Sequence, residues 1–335
     1  MQNLTGDVLK VSVIIPVFNG ERFIREAIQS VMDQTYPPLE IIVVDDGSSD
    51  KTADIVRHLS GARPILYRRQ SNQGAAAARN VGVSLAQGEW IAFLDADDVW
   101  YPEKLAIQVE HFKTYPDVPF FYSDMDIIDD EGKVRQQAFL TDVLRQRRER
   151  AKKDLVSIIF GDRPFPYPST VVLRKDVFTQ SGGFDPAFEL NDHEDFDLFA
   201  RVALAAPIHF IDQSLVKYRR HAAQVLIART ENRKKNFFKL LGGLWQKWTP
   251  EPEKQILLLE HYMHLYSHHA REYLKQGDYK KAQVYYWLAF RYYPWSWHNL
   301  RRWALSFLPG LREIYSYRVK KRVRRLQETS KSDLR

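Results

Sequence analysis

Three carboxylates, Asp95, Asp97 and Asp98, follow directly on the apolar run Trp90-Ile91-Ala92-Phe93-Leu94. Crowded acids repel one another unless a proton or a cation relieves them, so Asp95 and Asp97 point to a hard divalent metal with oxygen ligands. Residues two apart in an extended stretch project to the same side, which lets both carboxylates converge on one site. A second acid-rich stretch runs from Glu189 to Asp197 and includes Glu194 and Asp195. On residue type alone these acids suit the start of a helix, where the dipole favours negative charge. A basic cluster, Arg219-Arg220-His221, lies further along the chain.

The elements that must position these groups are legible from periodicity. A short apolar run ending in a turn signal reads as an interior strand of a parallel sheet, and the carboxyl ends of such strands line the crevice where open α/β sheets bind ligands. Val11 to Pro16 and Ile41 to Val44 are two more such runs. Between them, Phe23, Ala27, Ile28 and Val31 mark one helical face. The second run ends in Asp45-Asp46-Gly47-Ser48-Ser49-Asp50, a turn and cap that opens a helix through Ala53, Ile55, Val56 and Leu59. Ile65 to Tyr67 is a third strand, followed by the small-residue helix Ala75 to Leu85, and Pro102 starts a helix for which Asp98 is the expected cap, a further metal ligand being the alternative. This alternation predicts an α/β fold with a doubly wound, mostly parallel sheet flanked by helices.

After Phe120 to Ser123, a further strand, the alternation stops. Arg135 to Lys153 is rich in arginine and reads as a solvated helix or loop; contact with an anionic substrate is the sharper alternative. Thr170 to Leu173 resumes a strand, and Ser214 to Tyr218 delivers Arg219-Arg220-His221. Beyond Ala222 the pattern is helical, basic and aromatic. Within it Ala270 to Tyr273 and Gly277 to Ala282 resemble one tetratricopeptide unit. The expected division is an α/β domain over 1–222 and an α-helical extension over 223–335.

Composition narrows the class. A chain of 335 residues with a net charge of +7 and no cysteine excludes disulfides, thiolate metal sites and a cysteine nucleophile. No secretory signal opens the chain, and the aromatic run Val284 to Trp297, broken by Arg291 and Pro294, falls short of the roughly 20 apolar residues a spanning helix needs. A cytoplasmic location is expected. Without a recognition module beside the basic residues, nucleic acid is not an expected partner.

Taken in order, Val13-Ile14-Ile15-Pro16-Val17-Phe18-Asn19, Val44 to Asp50, Asn72 to Gly82, Leu94-Asp95-Ala96-Asp97-Asp98 and His193-Glu194-Asp195 resemble the motifs of the family 2 glycosyltransferases, which have the GT-A fold. The likeness covers about the first two thirds of the chain, to roughly His221. It implies an inverting transfer of a sugar from a nucleotide-diphosphate sugar, a UDP-sugar by family expectation, to an acceptor hydroxyl in cell-surface polysaccharide or lipid-linked glycan synthesis. Asp46, at the tip of the second strand, would read the base, framed by Pro16 and Phe18; Phe18 as plain core is the alternative. Arg79 would face the nucleotide. Asp95 and Asp97 form the DxD pair, which would hold Mg2+ or Mn2+ against the diphosphate, and His221 would complete that metal or diphosphate site, or else stand as a surface residue. Asp195 would be the general base, with Glu194 binding the acceptor or orienting the loop; the exchange of these two roles is the alternative.

The competing reading is a degenerate transferase domain serving as a binding or scaffold module. The tail lies beyond the resemblance. Trp295, Trp297, Trp303 and Phe307 alternate with Arg301, Arg302 and Arg312, and Arg318 to Arg325 is densely basic. Aromatic rings beside cations suit a membrane interface, so peripheral attachment to the inner leaflet, near a lipid-linked acceptor, is one expectation. Packing of those aromatics on the α/β domain is the other.

Overall fold

The computed structural model describes residues 9–60, 65–149, 165–186, 194–221 and 278–292, with 266, 267, 270 and 273. The chain divides into two compact units, Met1–Leu240 and Leu241–Arg335. The expected boundary at 222/223 falls outside the described residues, as do His193, the acids from Glu189 to Asp192, and the tail from Trp295 to Arg325.

In the first unit, β1 (Val11–Val17), β2 (Glu40–Asp45), β3 (Ile65–Arg69) and β4 (Trp90–Phe93) are joined by α1 (Ile24–Met32), α2 (Thr52–Leu59) and α3 (Ala75–Leu85). These strands pair in parallel in the order β3-β2-β1-β4. Every residue of β1 and β4 is buried, as continuous apolar strands covered on both faces must be. Alternation divides β1 between two layers. Val11, Val13, Ile15 and Val17 join the cluster of Ile24, Ala27, Ile28 and Val31 from α1. Ile14 points the other way, to α3, where a Cβ on Gly82 would stand 2.4 Å from Ile14 Cγ2. The small-residue helix therefore rides close to the sheet.

The sheet continues through β5 (Val99–Trp100), β6 (Phe120–Ile128), β7 (Val134–Gln136), β8 (Val171–Arg174) and β9 (Ile208–Arg219), interspersed with α4 (Lys104–Thr114), α5 (Phe139–Glu149), α6 (Lys175–Gln180) and α7 (Glu194–Ala205). Strand β8 inserts antiparallel between β4 and β6, β9 runs parallel to β6, and β5 and β7 pair antiparallel with β9 and β6. Six strands thus point one way, and β1, β2, β4, β6 and β9 bring their carboxyl ends to one edge. Strands β5 and β7 have too few residues for a periodic signal, and β9 extends well beyond the Ser214–Tyr218 run expected. The expectation that Asp98 caps the Pro102 helix is corrected: α4 begins at Lys104, beyond β5, and Asp98 is buried with other partners.

In the second unit α8 (Tyr279–Tyr292) buries Ala282, Tyr286 and Ala289, the spacing of one helical face. Asp278 caps it, accepting from the Lys281 amide at 3.1 Å. The rings of Tyr273 and Tyr285 meet at 5.2 Å, so part of the segment likened to a tetratricopeptide unit is helical and packed. Among the described residues no helix is long and apolar enough to cross a membrane.

Candidate active site

The turns leaving β1 and β2 are sewn together. The Asn19 amide donates to Ser48 Oγ at 2.9 Å, Asn19 Oδ1 accepts from the Ser49 amide at 2.9 Å, and the Gly20 amide donates to Thr52 Oγ1 at 2.9 Å. Asn19 takes a φ of 50°, in the left-handed region that asparagine tolerates best among side-chain-bearing residues. Asp45 is the internal brace: its carboxylate accepts from the Ser48 amide at 2.7 Å and the Tyr67 hydroxyl at 2.5 Å. Asp50 caps α2 through the Thr52 amide at 3.0 Å.

Next to this frame lies a cavity of about 650 Å³ whose walls include Pro16, Phe18, Asp46, Asp95, Asp97 and Asp195. Arg79, Glu194 and His221 line it too, so the fold gathers all the site residues read from the sequence around one hollow. A larger hollow of about 1080 Å³ at the far end of β4 is bordered by Arg174 and Asp176, which pair with each other, and has no acid cluster.

Phe18 is 53% exposed, which rules out the core alternative for that ring. Asp46 is buried, and its carboxylate accepts three hydrogen bonds: from Gln70 Nε2 and the Gln73 amide at Oδ1, both 2.8 Å, and from the Gly74 amide at Oδ2, 2.7 Å. It therefore fastens the start of α3, where Gly74 adopts a φ of 88°. A carboxylate has about four lone-pair sites, so Oδ2 retains capacity for one further donor.

Arg79 is not the solvated surface arginine its helix position would allow; it is 5% exposed. Nη2 donates to Asp95 Oδ1 at 2.7 Å and Nη1 to Glu194 Oε1 at 2.9 Å, and the guanidinium lies 5.3 Å from the Phe184 ring. Burial works against its charge, but Asp95 and Glu194 outweigh that and raise its pKa above the usual arginine value. Arg79 Nε and Glu194 Oε2 are both buried without a protein partner.

Asp195, partly buried at the first turn of α7, accepts from the Phe196 amide at 2.6 Å. Burial and the neighbouring Glu194 charge push its carboxyl up to about 7, against the pull of Arg79. A carboxylate so tuned takes up a proton near neutral pH, the condition a general base needs.

Asp97 Oδ2 lies 3.0 Å from His221 Nε2, and Asp95 and Asp97 are each about a quarter exposed to the cavity. Among the described residues no three histidine or carboxylate groups are close enough to enclose a metal. Asp98 points inward instead. Its carboxylate accepts from Ser169 Oγ at 2.5 Å and from the Arg219 amide at 2.9 Å, and burial, with Asp97 and Asp95 adding, raises its pKa well above the carboxylate range. Ser169 Oγ also accepts from the Asp95 amide at 3.1 Å. Sequence reading missed Ser169, Tyr167 and Tyr218, which face this region, and treated Arg219 only as part of a basic cluster. No local signal marks Ser169 and Arg219, whose partners Asp98 and Asp97 are 71 and 122 residues away.

A sequence model of glycosyl transferase family 2 matches residues 12–182. An uncharacterized glycosyltransferase of Nostoc sp. is 36% identical over 220 residues, 64% of this chain and 66% of that protein. One from Rickettsia prowazekii is 30% identical over 279 residues, 81% of this chain and 82% of the relative. The chain spans only 44% of the length of the Rickettsia felis and Rickettsia conorii relatives. The Escherichia coli UDP-Glc:alpha-D-GlcNAc-diphosphoundecaprenol beta-1,3-glucosyltransferase WfgD is 40% identical over 124 residues, 37% of this chain and 49% of that protein. In three dimensions the chain resembles the crystal structure of S. aureus TarS 1-349 in complex with UDP-GlcNAc, with a TM-score of 0.65 and 20% identity over 95% of this chain and 92% of that one, a likeness of fold. The family match over residues 12–182, the relatives that share it and the GT-A architecture together make this chain a member of glycosyltransferase family 2.

Proposed function

We propose that the chain moves a sugar from a nucleotide-diphosphate sugar, a UDP-sugar, to a hydroxyl of a glycan or lipid-linked acceptor, inverting the anomeric centre. The observation that carries this is the pairing of unlike acids in one cavity: Asp95 and Asp97 beside His221, and Asp195 with its carboxyl raised to about 7. WfgD is named for a UDP-sugar donor and a diphosphoundecaprenol acceptor, which supports both substrate classes.

The residues fit a divalent ion, Mg2+ or Mn2+. Such ions are usually held by one or two carboxylates plus substrate phosphates, so Asp95 and Asp97 would be the protein donors, with His221 beside Asp97 and the diphosphate completing the shell. When bound, the ion would neutralise charge developing on the departing diphosphate. Asp46 offers its remaining acceptor capacity to a base N–H, with Pro16 and Phe18 framing the ring. Asp195 takes the proton of the acceptor hydroxyl as that oxygen bonds to the anomeric carbon and the bond to the diphosphate oxygen breaks. Glu194, held by Arg79, orients the start of α7 and therefore the base. A lipid-linked acceptor would bring the chain to the inner face of a membrane; the basic, aromatic tail that would make contact there lies outside the described residues.

A panel of nucleotide-sugars with Mn2+ tests the proposal. Release of nucleoside diphosphate from one donor is expected, and product NMR should show an anomeric configuration opposite to the donor's. A folded chain with no turnover on any donor, with or without lipid-linked acceptors, would contradict transfer. Retention of configuration would contradict the assignment of Asp195.

A further inference from the structure

Arg219 has the largest fully buried side chain in the described core, 1% exposed, and the reaction as proposed gives it nothing to do. Its contacts join the turn that carries Asp97, on the cavity wall, to the β6–β7 turn and α1. The backbone N–H donates to Asp98 Oδ1 at 2.9 Å, and Nε donates to the Asp97 carbonyl at 2.9 Å. Nη1 donates to the carbonyls of Asp129 at 3.0 Å and Asp130 at 3.1 Å, in the turn between β6 and β7. Nη2 reaches Glu26 Oε2 on α1 at 2.6 Å, and the guanidinium lies 4.6 Å from the Phe23 ring. That same ring packs 5.4 Å from His221.

One planar fork thus ties the β4–β5 turn, the β6–β7 turn and α1, while its own backbone leads two residues on to His221. We infer that Arg219 is a positioning residue for the divalent-ion site, holding Asp97 and His221 in the juxtaposition of 3.0 Å at which both line the cavity. The inference rests on the metal reading proposed above. Arg79 already pairs with Asp95, and Asp98 is buried on Ser169, so Asp97 is the acid of this turn that meets His221. Arg219 holds the turn from behind, through the Asp97 carbonyl, and leaves the Asp97 carboxylate facing the cavity. Lysine keeps the charge but offers a single point donor, so it cannot hold two turns and a helix at once.

The experiment compares UDP affinity of the full chain by calorimetry with Mn2+ and with EDTA, in the wild type, Arg219→Lys and Glu26→Gln. The ratio of the two affinities reads the metal's share of binding; general loosening of the fold would weaken UDP in both buffers alike. Outer-shell partners of metal ligands are typically worth roughly 10- to 100-fold in metal affinity, so Arg219→Lys should lose a Mn2+-dependent gain of about tenfold or more and keep its EDTA affinity. Glu26→Gln removes only a half-exposed partner and should lose a smaller part, about threefold. It also serves as the readout if Arg219→Lys does not fold. A wild-type gain that survives in every folded variant overturns the inference and leaves the metal reading intact. A wild type that binds UDP equally in both buffers overturns the metal reading and this inference with it.

Discussion

Arg79 Nη1 donates to Glu194 Oε1 at 2.9 Å, joining side chains 115 residues apart, and both are about 95% buried. Through the second half of its fork Arg79 also holds Asp95, so one guanidinium connects the DxD turn to the helix that carries Asp195. The end of the cavity proposed for the diphosphate and the end proposed for the acceptor share this single residue.

Replacing Arg79 by methionine leaves Glu194 buried without a counter-ion. Breaking a buried pair from one side typically costs about 3–5 kcal/mol, and urea unfolding should show a loss of that order. Glu194→Gln in the same background should recover part of it, because the stranded charge is gone. Additive losses in that double-mutant cycle would show that the pair contributes nothing.

Asp195→Asn should lower kcat by about 10²- to 10⁴-fold while leaving donor KM close to the wild-type value. In the wild type, kcat/KM should fall as pH drops through about 7, where the carboxyl takes up its proton. The stability effect has the opposite sense. A carboxyl whose pKa is raised on folding contributes stability below the usual carboxylate range and loses it as pH rises through about 7. The asparagine variant should therefore gain Tm relative to wild type at alkaline pH and not at acid pH. A flat pH–rate profile across neutrality would rule out Asp195 as the base.

Asp46→Asn has one acceptor oxygen where the carboxylate has two, so one donor among Gln70, Gln73 and Gly74 must face an amide nitrogen. Hydrogen bonds to a charged group are worth about 1.5–3 kcal/mol each, and a stability loss in that range is expected in urea unfolding. UDP affinity should fall by roughly tenfold or more, the equivalent of about 1.4 kcal/mol. Unchanged UDP binding in the folded variant would remove Asp46 from the base site.

Gly82→Ala places a methyl 2.4 Å from Ile14 Cγ2, inside van der Waals contact. The overpacking cost of about 1–3 kcal/mol exceeds the roughly 1 kcal/mol that alanine gains over glycine in a helix. Net destabilisation is expected, relieved when Ile14→Ala is added. Equal melting temperatures for Gly82→Ala and wild type would mean that α3 does not pack as tightly on β1 as the structure has it.

How far the sequence could be read depended on the range of the interaction. Strands β1 to β4 and helices α1 to α3 were legible because each is a continuous apolar run or a single helical face, a pattern complete within a dozen residues. Strands β5 and β7, of two and three residues, are held by their partners in β9 and β6 and carry no such pattern. The same limit applied to Asp98. Beside Pro102 it looked like a helix cap, yet its partners, Ser169 and Arg219, are 71 and 121 residues further along the chain.

The sequence by itself determined the fold class, the family resemblance and the acids that could do chemistry, since residue type, order and spacing carry all of these. Only the tertiary structure decided what each polar group is turned toward. It made Asp46 an anchor for α3 as well as a wall of the cavity, buried Arg79 between two carboxylates, raised Asp195, and set Arg219 behind the Asp97 turn. The physical reason is that burial and long-range pairing set the charge and orientation of a side chain, and both depend on residues that the linear order leaves far apart.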